Sequence, residues 1–326
     1  MKIVLFNKTL ISGGIEKCIE NLTKQLKNDY EFEVCYFDDS IVDQNIVDII
    51  SQYAKVTKLT DGMKIKCDKC VWCYLYFDYY KYKNMIEASE YIAWIHSMPR
   101  ILPDCLLDNE DFVNDCSNFI CVSNAVKSGL NIKKEGMVIH NFLNDNLIEL
   151  SKEDNPLVDI PSNTLKLCVV SRISSGKGFE RLLLLVKELE KESIPYIVNI
   201  VGKGRKREIE YRKLFEDYKK VIFVGYRDNP YNYVKNSDYL VQLSDDESWC
   251  NSITEAKVLD VPVLVTNFKS SYEQIKDGYN GIMVDLEEKD YSKVVKRLLE
   301  EKDTLKENLR SYKYRPEIEE WKEIFK

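Results

Sequence analysis

Apolar and polar positions along this chain repeat one pattern. A short apolar run is followed by a turn-rich loop and then by a segment with helical spacing. Residues 2–6 form the first apolar run, and residues 15–27 place Ile15, Cys18, Ile19, Leu22 and Leu26 at helical intervals. Further strands are expected at 31–37, 55–59, 70–77, 91–95, 119–122 and 136–139, with helices at 42–53 and 124–130. Residues 145–163 have no period and carry Pro156 and Pro161, which reads as a linker. The alternation then restarts, with strands expected at 165–170, 196–201, 221–224, 239–243, 262–266 and 282–284. Helices are expected between them at 179–191, 205–218, 231–236 and around 272–276, and charged helices at 290–309 and 316–325 finish the chain. Strands alternating with helices build a parallel sheet with crossover helices. The pattern therefore predicts an α/β protein of two doubly wound halves, with a cleft between them as the natural site.

Length and composition agree with that division. The 326 residues divide into a first domain at 1–150, a second at 151–312, and a closing helix at 313–326 that packs back toward the first. Hydrophobic content of 44% and charged content of 31% are those of a globular protein with material for two cores. The net charge is −7, of which −6 falls in residues 1–150 (16 cations against 22 carboxylates). That balance excludes nucleic acid as the main partner, which would need a basic face. Residues 2–6 are too short for an export signal, and no run approaches the ~18 apolar residues of a spanning helix, so a cytoplasmic location is expected. The lysines near 64–69 and 81–83, set among tyrosines, are the only candidates for peripheral contact with the inner membrane face. The ten cysteines read as free thiols. Cys67-x-x-Cys70-x-x-Cys73 has metal-like spacing but no fourth ligand nearby, so no metal site is expected.

Three loops have the composition of anion or ligand sites. Ser12-Gly13-Gly14-Ile15-Glu16 joins the first strand to the first helix, where two glycines allow close approach and the helix end favours a phosphate. Ser171-Arg172-Ile173-Ser174-Ser175-Gly176-Lys177-Gly178 brings Arg172 and Lys177 to the start of a helix. Cations there oppose the dipole, so they need a ligand such as a diphosphate. Ser244-Asp245-Asp246-Glu247 follows the strand at 239–243, and Glu255 lies in the helix beyond. Ser252 to Glu255 also fits a capping box, which alone would account for Glu255. Gly202-Lys203-Gly204 is not a dinucleotide fingerprint, because Arg207 holds the third glycine position. The two histidines, His96 and His140, both end apolar strands.

Together these features resemble the retaining GT-B glycosyltransferases of family 4, over nearly the whole chain. The matching residues are Gly13-Gly14-Ile15-Glu16, His96, Val122-Ser123-Asn124-Ala125, Val138-Ile139-His140-Asn141, Arg172 with Lys177-Gly178, Val201-Gly202-Lys203-Gly204, Phe223-Val224-Gly225, and Glu247 with Glu255 eight residues on. Ser248-Trp249-Cys250 stands where the family has Gly-Phe-Pro, Thr254 replaces a small apolar residue, and Asp260-Val261 replaces a glycine before Pro262.

The resemblance implies a GT-B fold of two Rossmann-like domains facing a cleft, and transfer of a hexose or N-acetylhexosamine from a UDP-sugar, without a metal or other cofactor. The acceptor would be a glycan or a lipid-linked precursor of a surface polysaccharide or capsule. Gly13, Gly14, Arg172 and Lys177 would hold the diphosphate, and Glu247 the sugar hydroxyls, with backbone N–H groups of Trp249, Cys250 and Asn251. Glu255 would bind the ribose, and Tyr226 would meet the base. Gly202 and Ser252 complete the donor-binding set, and His96 would line the sugar and acceptor pocket as a catalytic-site residue. Asp245 and Asp246 receive no role. The alternatives are a catalytically silent partner protein, which would be expected to lose Arg172, Lys177 or Glu247, and an epimerase-like enzyme acting on the same donor.

Overall fold

The structure is a computed structural model that describes residues 1–76, 78–98 and 105–326. The chain divides into two compact units, Met1–Asn144 with Pro316–Lys326, and Asp145–Arg315. Each unit is a parallel sheet with helices.

Unit 1 holds β1 (Lys2–Phe6), β2 (Glu31–Tyr36), β3 (Lys55–Lys58), β4 (Ile65–Trp72), β5 (Ile86–Ile95), β6 (Cys116–Cys121) and β7 (Met137–Val138) in the order β3-β2-β1-β4-β5-β6-β7. Every pairing is parallel. β1 therefore sits where the strand order reverses, with β2 on one side and β4 on the other. The expected strand at 91–95 is the second half of a longer one. Its first half, Ile-Glu-Ala-Ser-Glu, is too polar to read as a strand, but it pairs with β4 from Ile65 to Lys69. Lys66–Glu87 and Lys69–Glu90 ion pairs join the same two strands. The expected strand at 70–77 begins instead at Ile65, and its last residue, Phe77, lies outside the described residues, as does Pro99 beyond His96. Cys67 and Cys70 fall on opposite faces of β4, since side chains alternate along a strand.

The helix Ile318–Phe325 belongs to this unit. Trp321 is buried and meets the Trp94 ring edge-on at 4.8 Å, while Phe325 packs near Phe32. The Lys69 ammonium donates to the Ile324 carbonyl at 2.9 Å, supplying a cation to the negative helix end. At the other end, Glu317 clamps His140: one oxygen accepts from the backbone N–H and the other meets Nδ1, both at 2.7 Å. His140 is thus a joint between the chain's end and β7's neighbourhood.

Unit 2 holds β8 (Leu165–Val170), β9 (Tyr196–Val201), β10 (Val221–Gly225), β11 (Tyr239–Gln242), β12 (Val263–Thr266) and β13 (Gly281–Val284), all parallel, in the order β10-β9-β8-β11-β12-β13. Here β8 marks the reversal. The helix Phe179–Lys191 buries Phe179, Leu182, Leu185, Val186 and Leu189, which is the three-and-four spacing of one helical face. Each such side chain contributes roughly 1.5–3 kcal/mol, so truncating fully buried Leu185 to alanine would cost about 2–5 kcal/mol. The charged stretch expected as one helix at 290–309 is two, Ser292–Glu300 and Lys302–Leu309, with Arg297 paired to Asp277 and to Glu301 at the break. The two parallel, doubly wound sheets are those of the GT-B fold class that the sequence implies. Among the described residues no helix is long and apolar enough to cross a membrane.

Candidate functional site

In open parallel sheets, ligands bind outside the carboxyl ends of the strands where the order reverses. In unit 2 that place lies between the loops after β8 and β11, and the site is built there from close loop packing. Gly178 takes a left-handed φ of +75° at the start of helix Phe179–Lys191, and a Cβ on it would collide with the Leu243 carbonyl at the end of β11. Gly202, after β9, has φ +149°, and a Cβ there would collide with the Ser171 carbonyl. Only glycine lets these three loops close on one another. Backbone bonds stitch the contacts: Ser171 N–H to the Val201 carbonyl at 3.1 Å, Ile173 N–H to that of Lys203 at 3.0 Å, and Asp245 N–H to that of Gly176 at 2.9 Å.

This packing delivers Lys177 to Glu247. The ammonium meets Glu247 Oε1 at 2.6 Å, with both side chains largely shielded from solvent. The same oxygen accepts from Ser244 Oγ at 2.8 Å and from Gln242 Nε2 at 3.0 Å. The Glu247 carbonyl accepts from Ser270 Oγ at 2.7 Å, which fixes its backbone as well. Among the described residues, no hydrogen bond falls on Glu247 Oε2. Arg172 lies in the same loop as Lys177 but is exposed and makes no ion pair among the described residues. The structure therefore brings Lys177 and Glu247 together and leaves Arg172 beside them.

The acidic run resolves into different uses. Asp245, which receives no role from the sequence, accepts from Arg181 Nη1 at 2.7 Å; that guanidinium also donates to the Leu243 and Leu286 carbonyls. Asp245 thus holds its loop to the helix that Gly178 begins. The helix after the loop is Asn251–Val258, and its N-cap is Cys250 with no side-chain cap. The expected capping box with Ser252 as N-cap does not form, because Ser252 is already inside the helix and its hydroxyl donates to Gln242 Oε1 at 3.3 Å. Glu255 is half-buried and 3.5 Å from the Tyr231 hydroxyl.

The N–H of Cys250, expected to serve the sugar, donates to Gln274 Oε1 at 3.3 Å. Gln274 Nε2 returns bonds to the Cys250 carbonyl and Thr254 Oγ1, both at 2.9 Å. Burial pushes the Cys250 thiol up to about 12, so it is a structural thiol. Trp249 and Asn251 flank it, both half-buried. Tyr226, after β10, is exposed and carries the Lys203 ammonium 4.7 Å from its ring centre, a cation that the sequence reading did not assign. Gly202 N–H donates to the Gly225 carbonyl at 2.9 Å, so loops β9 and β10 meet behind it.

The missed residues Gln242, Ser244, Ser270 and Gln274 left one readable signal, a glutamine inside the apolar run Tyr239-Leu240-Val241-Gln242-Leu243. Arg181 left none, since its partner lies 64 residues away.

Unit 1 presents different chemistry at its own carboxyl edge. Gly13 is extended, and Gly14 starts the helix Gly14–Leu26. A Cβ on Gly14 would meet nothing within 4 Å, so the helix end borders open space. Glu16, one turn in, is buried and accepts from Asn7 Nδ2 at 3.2 Å. His96 follows β5 with its ring 4.2 Å from that of Trp94. The residue as a whole is only part-buried, yet Nε2 is sealed from solvent and has no hydrogen-bond partner among the described residues. Burial pushes the imidazole down to about 3, so it is neutral at ordinary pH. It lines a cavity of about 100 Å³ together with Ile15, Tyr74, Tyr76, Ser97 and Leu107.

Two Rossmann-like units, one with an ion-paired glutamate at its switch point, define a doubly wound α/β protein of two parallel sheets. The profile of the family described as glycosyl transferases group 1 matches residues 151–315, half of the chain, and the chain belongs to that family. It is 28% identical over 200 residues to a Klebsiella pneumoniae protein described as an uncharacterized 41.2 kDa protein in the cps region, covering 59% of this chain and 50% of that one. It is 28% identical over 162 residues to LpsE of Rhizobium meliloti, a lipopolysaccharide core biosynthesis glycosyltransferase, covering 49% and 46%. The chain thus spans about half the length of these curated relatives. The structure of Anabaena Alr3699/HepE in complex with UDP and glucose superposes with a TM-score of 0.76 at 17% identity, over 95% of this chain and 94% of that one, a likeness of fold.

Proposed function

We propose that the protein is a retaining glycosyltransferase of family 4 that moves a hexose or N-acetylhexosamine from a UDP-sugar to a glycan or lipid-linked acceptor in cell-surface polysaccharide synthesis. The observation that carries the reading is the Lys177–Glu247 pair at the switch point of unit 2, in a loop that also carries Arg172, which is exposed and makes no ion pair among the described residues. The polysaccharide contexts named for the Klebsiella and Rhizobium relatives and the UDP bound in the Anabaena protein support it.

In this reading Arg172 and Lys177 bind the donor diphosphate and offset the charge that grows as it leaves. No metal ion is needed for that role. Glu247 accepts from sugar hydroxyls through Oε2, with backbone N–H groups of Trp249 and Asn251. Glu255 takes the ribose, Tyr226 borders the base, and Gly202 and Ser252 shape the pocket between them. Gly13 and Gly14 give the phosphate open access to a helix end, and His96 lines the sugar and acceptor pocket. The bond from the sugar C1 to the phosphate oxygen breaks, the acceptor oxygen bonds to C1 on the same face, and the acceptor hydroxyl proton passes to the leaving phosphate.

Incubation with a panel of UDP-sugars, followed by mass analysis, tests the reading. UDP release with transfer or hydrolysis is expected, and NMR of the product should report retained anomeric configuration. An isomerised sugar with no UDP released would make it an epimerase-like enzyme instead. Absence of UDP binding would make it a silent partner protein.

A further inference from the structure

Gln242 interrupts the apolar run of β11 and is only 3% exposed, a position where an amide must find partners on both of its ends. It does. Nε2 donates to Glu247 Oε1 at 3.0 Å and to Ser244 Oγ at 2.7 Å, and Oε1 accepts from Ser252 Oγ at 3.3 Å. Ser244, itself fully buried, adds its own bond to the same Glu247 oxygen, and Thr266 Oγ1 holds the Ser244 carbonyl at 2.5 Å. Three donors, from Lys177, Gln242 and Ser244, therefore converge on Glu247 Oε1.

We infer that Gln242 is a positioning residue of the donor site: it sets which oxygen of Glu247 faces the sugar and keeps that carboxylate in place when Lys177 turns to the diphosphate. The inference rests on the donor-site reading above. Its logic is a competition for Lys177. The ammonium is bonded to Glu247, and a diphosphate brings a second and larger negative charge to the same cation. A carboxylate held by Lys177 alone would follow it. Gln242 stands on a strand rather than on a loop, so its amide does not move with either ligand group. It also links Glu247 to Ser252 in the next helix, so one side chain registers the loop against the helix that carries Glu255. Its removal should damage handling of the sugar and leave handling of the nucleotide intact.

The test compares wild type with Gln242→Met, which keeps the volume and loses every bond, and with Gln242→Glu, which keeps the shape and replaces the donor by an oxygen. UDP affinity is measured by calorimetry. Turnover is measured as UDP released from UDP-glucose, UDP-galactose and UDP-N-acetylglucosamine, and folding by circular dichroism and Tm. A misplacement of about 1 Å can cost on the order of 10²-fold in rate. The expected result is a kcat lower by that order, with the Kd for UDP within about threefold of wild type. A folded variant of either kind with wild-type kcat would overturn the inference, as would a Kd for UDP that weakens in step with kcat. Failure of both variants to fold would also overturn it, making Gln242 a fold residue only. A wild-type protein that binds no UDP would instead overturn the donor-site reading beneath it.

Discussion

The two units carry related sheets but build their switch points differently. At the edge of unit 2, most groups near the site are tied down within the unit, Lys177 to Glu247, Glu247 to Gln242 and Ser244, Asp245 to Arg181, and the Cys250 backbone to Gln274, while Arg172 stays exposed. At the edge of unit 1, Gly14 borders open space and the sealed Nε2 of His96 faces no partner among the described residues. A buried polar atom that makes no hydrogen bond costs free energy, about 1–3 kcal/mol for a neutral group. The contrast is between loops cross-linked to one another at the switch point of unit 2 and a more open edge in unit 1.

The largest blow to that contrast should come from Glu247→Ala. If the carboxylate is the fixed contact to the sugar, turnover should fall on the order of 10²-fold or more, while the calorimetric Kd for UDP stays within a few-fold. Wild-type turnover would remove the centre of unit 2's site. The double variant Arg172→Ala with Lys177→Ala should act on the other half of the donor, weakening UDP by roughly 10–100-fold, since each charge-assisted bond contributes about 1.5–3 kcal/mol less what water restores at exposed Arg172. An unchanged Kd would take the diphosphate away from this loop.

Two glycines test the packing side of the same comparison. Gly178→Ala forces a side chain into the Leu243 carbonyl at a left-handed φ, so urea unfolding should show a loss of about 2–4 kcal/mol. Gly14→Ala places a methyl in open space at a helix start, and stability should hold or rise by about 0.5–1 kcal/mol. If Gly14 leaves room for a phosphate, the stable variant should still lose affinity for UDP. Equal destabilisation by both substitutions would erase the difference between the two edges.

Much of this arrangement is legible in the sequence. Apolar runs of four to six residues mark the strands of both units, and glycine beside a cation or an acid marks the loops that matter. What escapes is whatever depends on partners far apart in the chain. Glu90 and Ala88 sit in a segment too polar to read as strand, and only pairing with β4 makes it one. Asp245 reads as a solvated acid until Arg181 folds against it, and His140 reads as a strand-end histidine until Glu317 arrives from 177 residues away. The capping box at Ser252 fails for the same reason, because Gln242 offers that hydroxyl a partner that no local rule anticipates. Lys177 and Glu247 each read as a ligand contact, and nothing in the spacing of 70 residues says that they touch each other.

A last test of the comparison concerns His96 and acid. Its imidazole titrates near 3 in the folded chain, against about 6.5 when unfolded, because burial disfavours the charged ring. Between those values the unfolded chain binds more protons than the folded one, so stability rises with pH across that window and is complete above about 6.5. Lowering the pH from 6.5 to 5 should therefore reduce Tm in the wild type through this residue. His96→Gln, which stays neutral, should lose less over the same interval, by up to about one proton's worth of slope. Carboxylates elsewhere titrate in both proteins and cancel in the difference. Identical pH slopes would mean that the ring is hydrated and titrates freely, and the edge of unit 1 would then lose the sealed imidazole that distinguishes it from the cross-linked loops of unit 2.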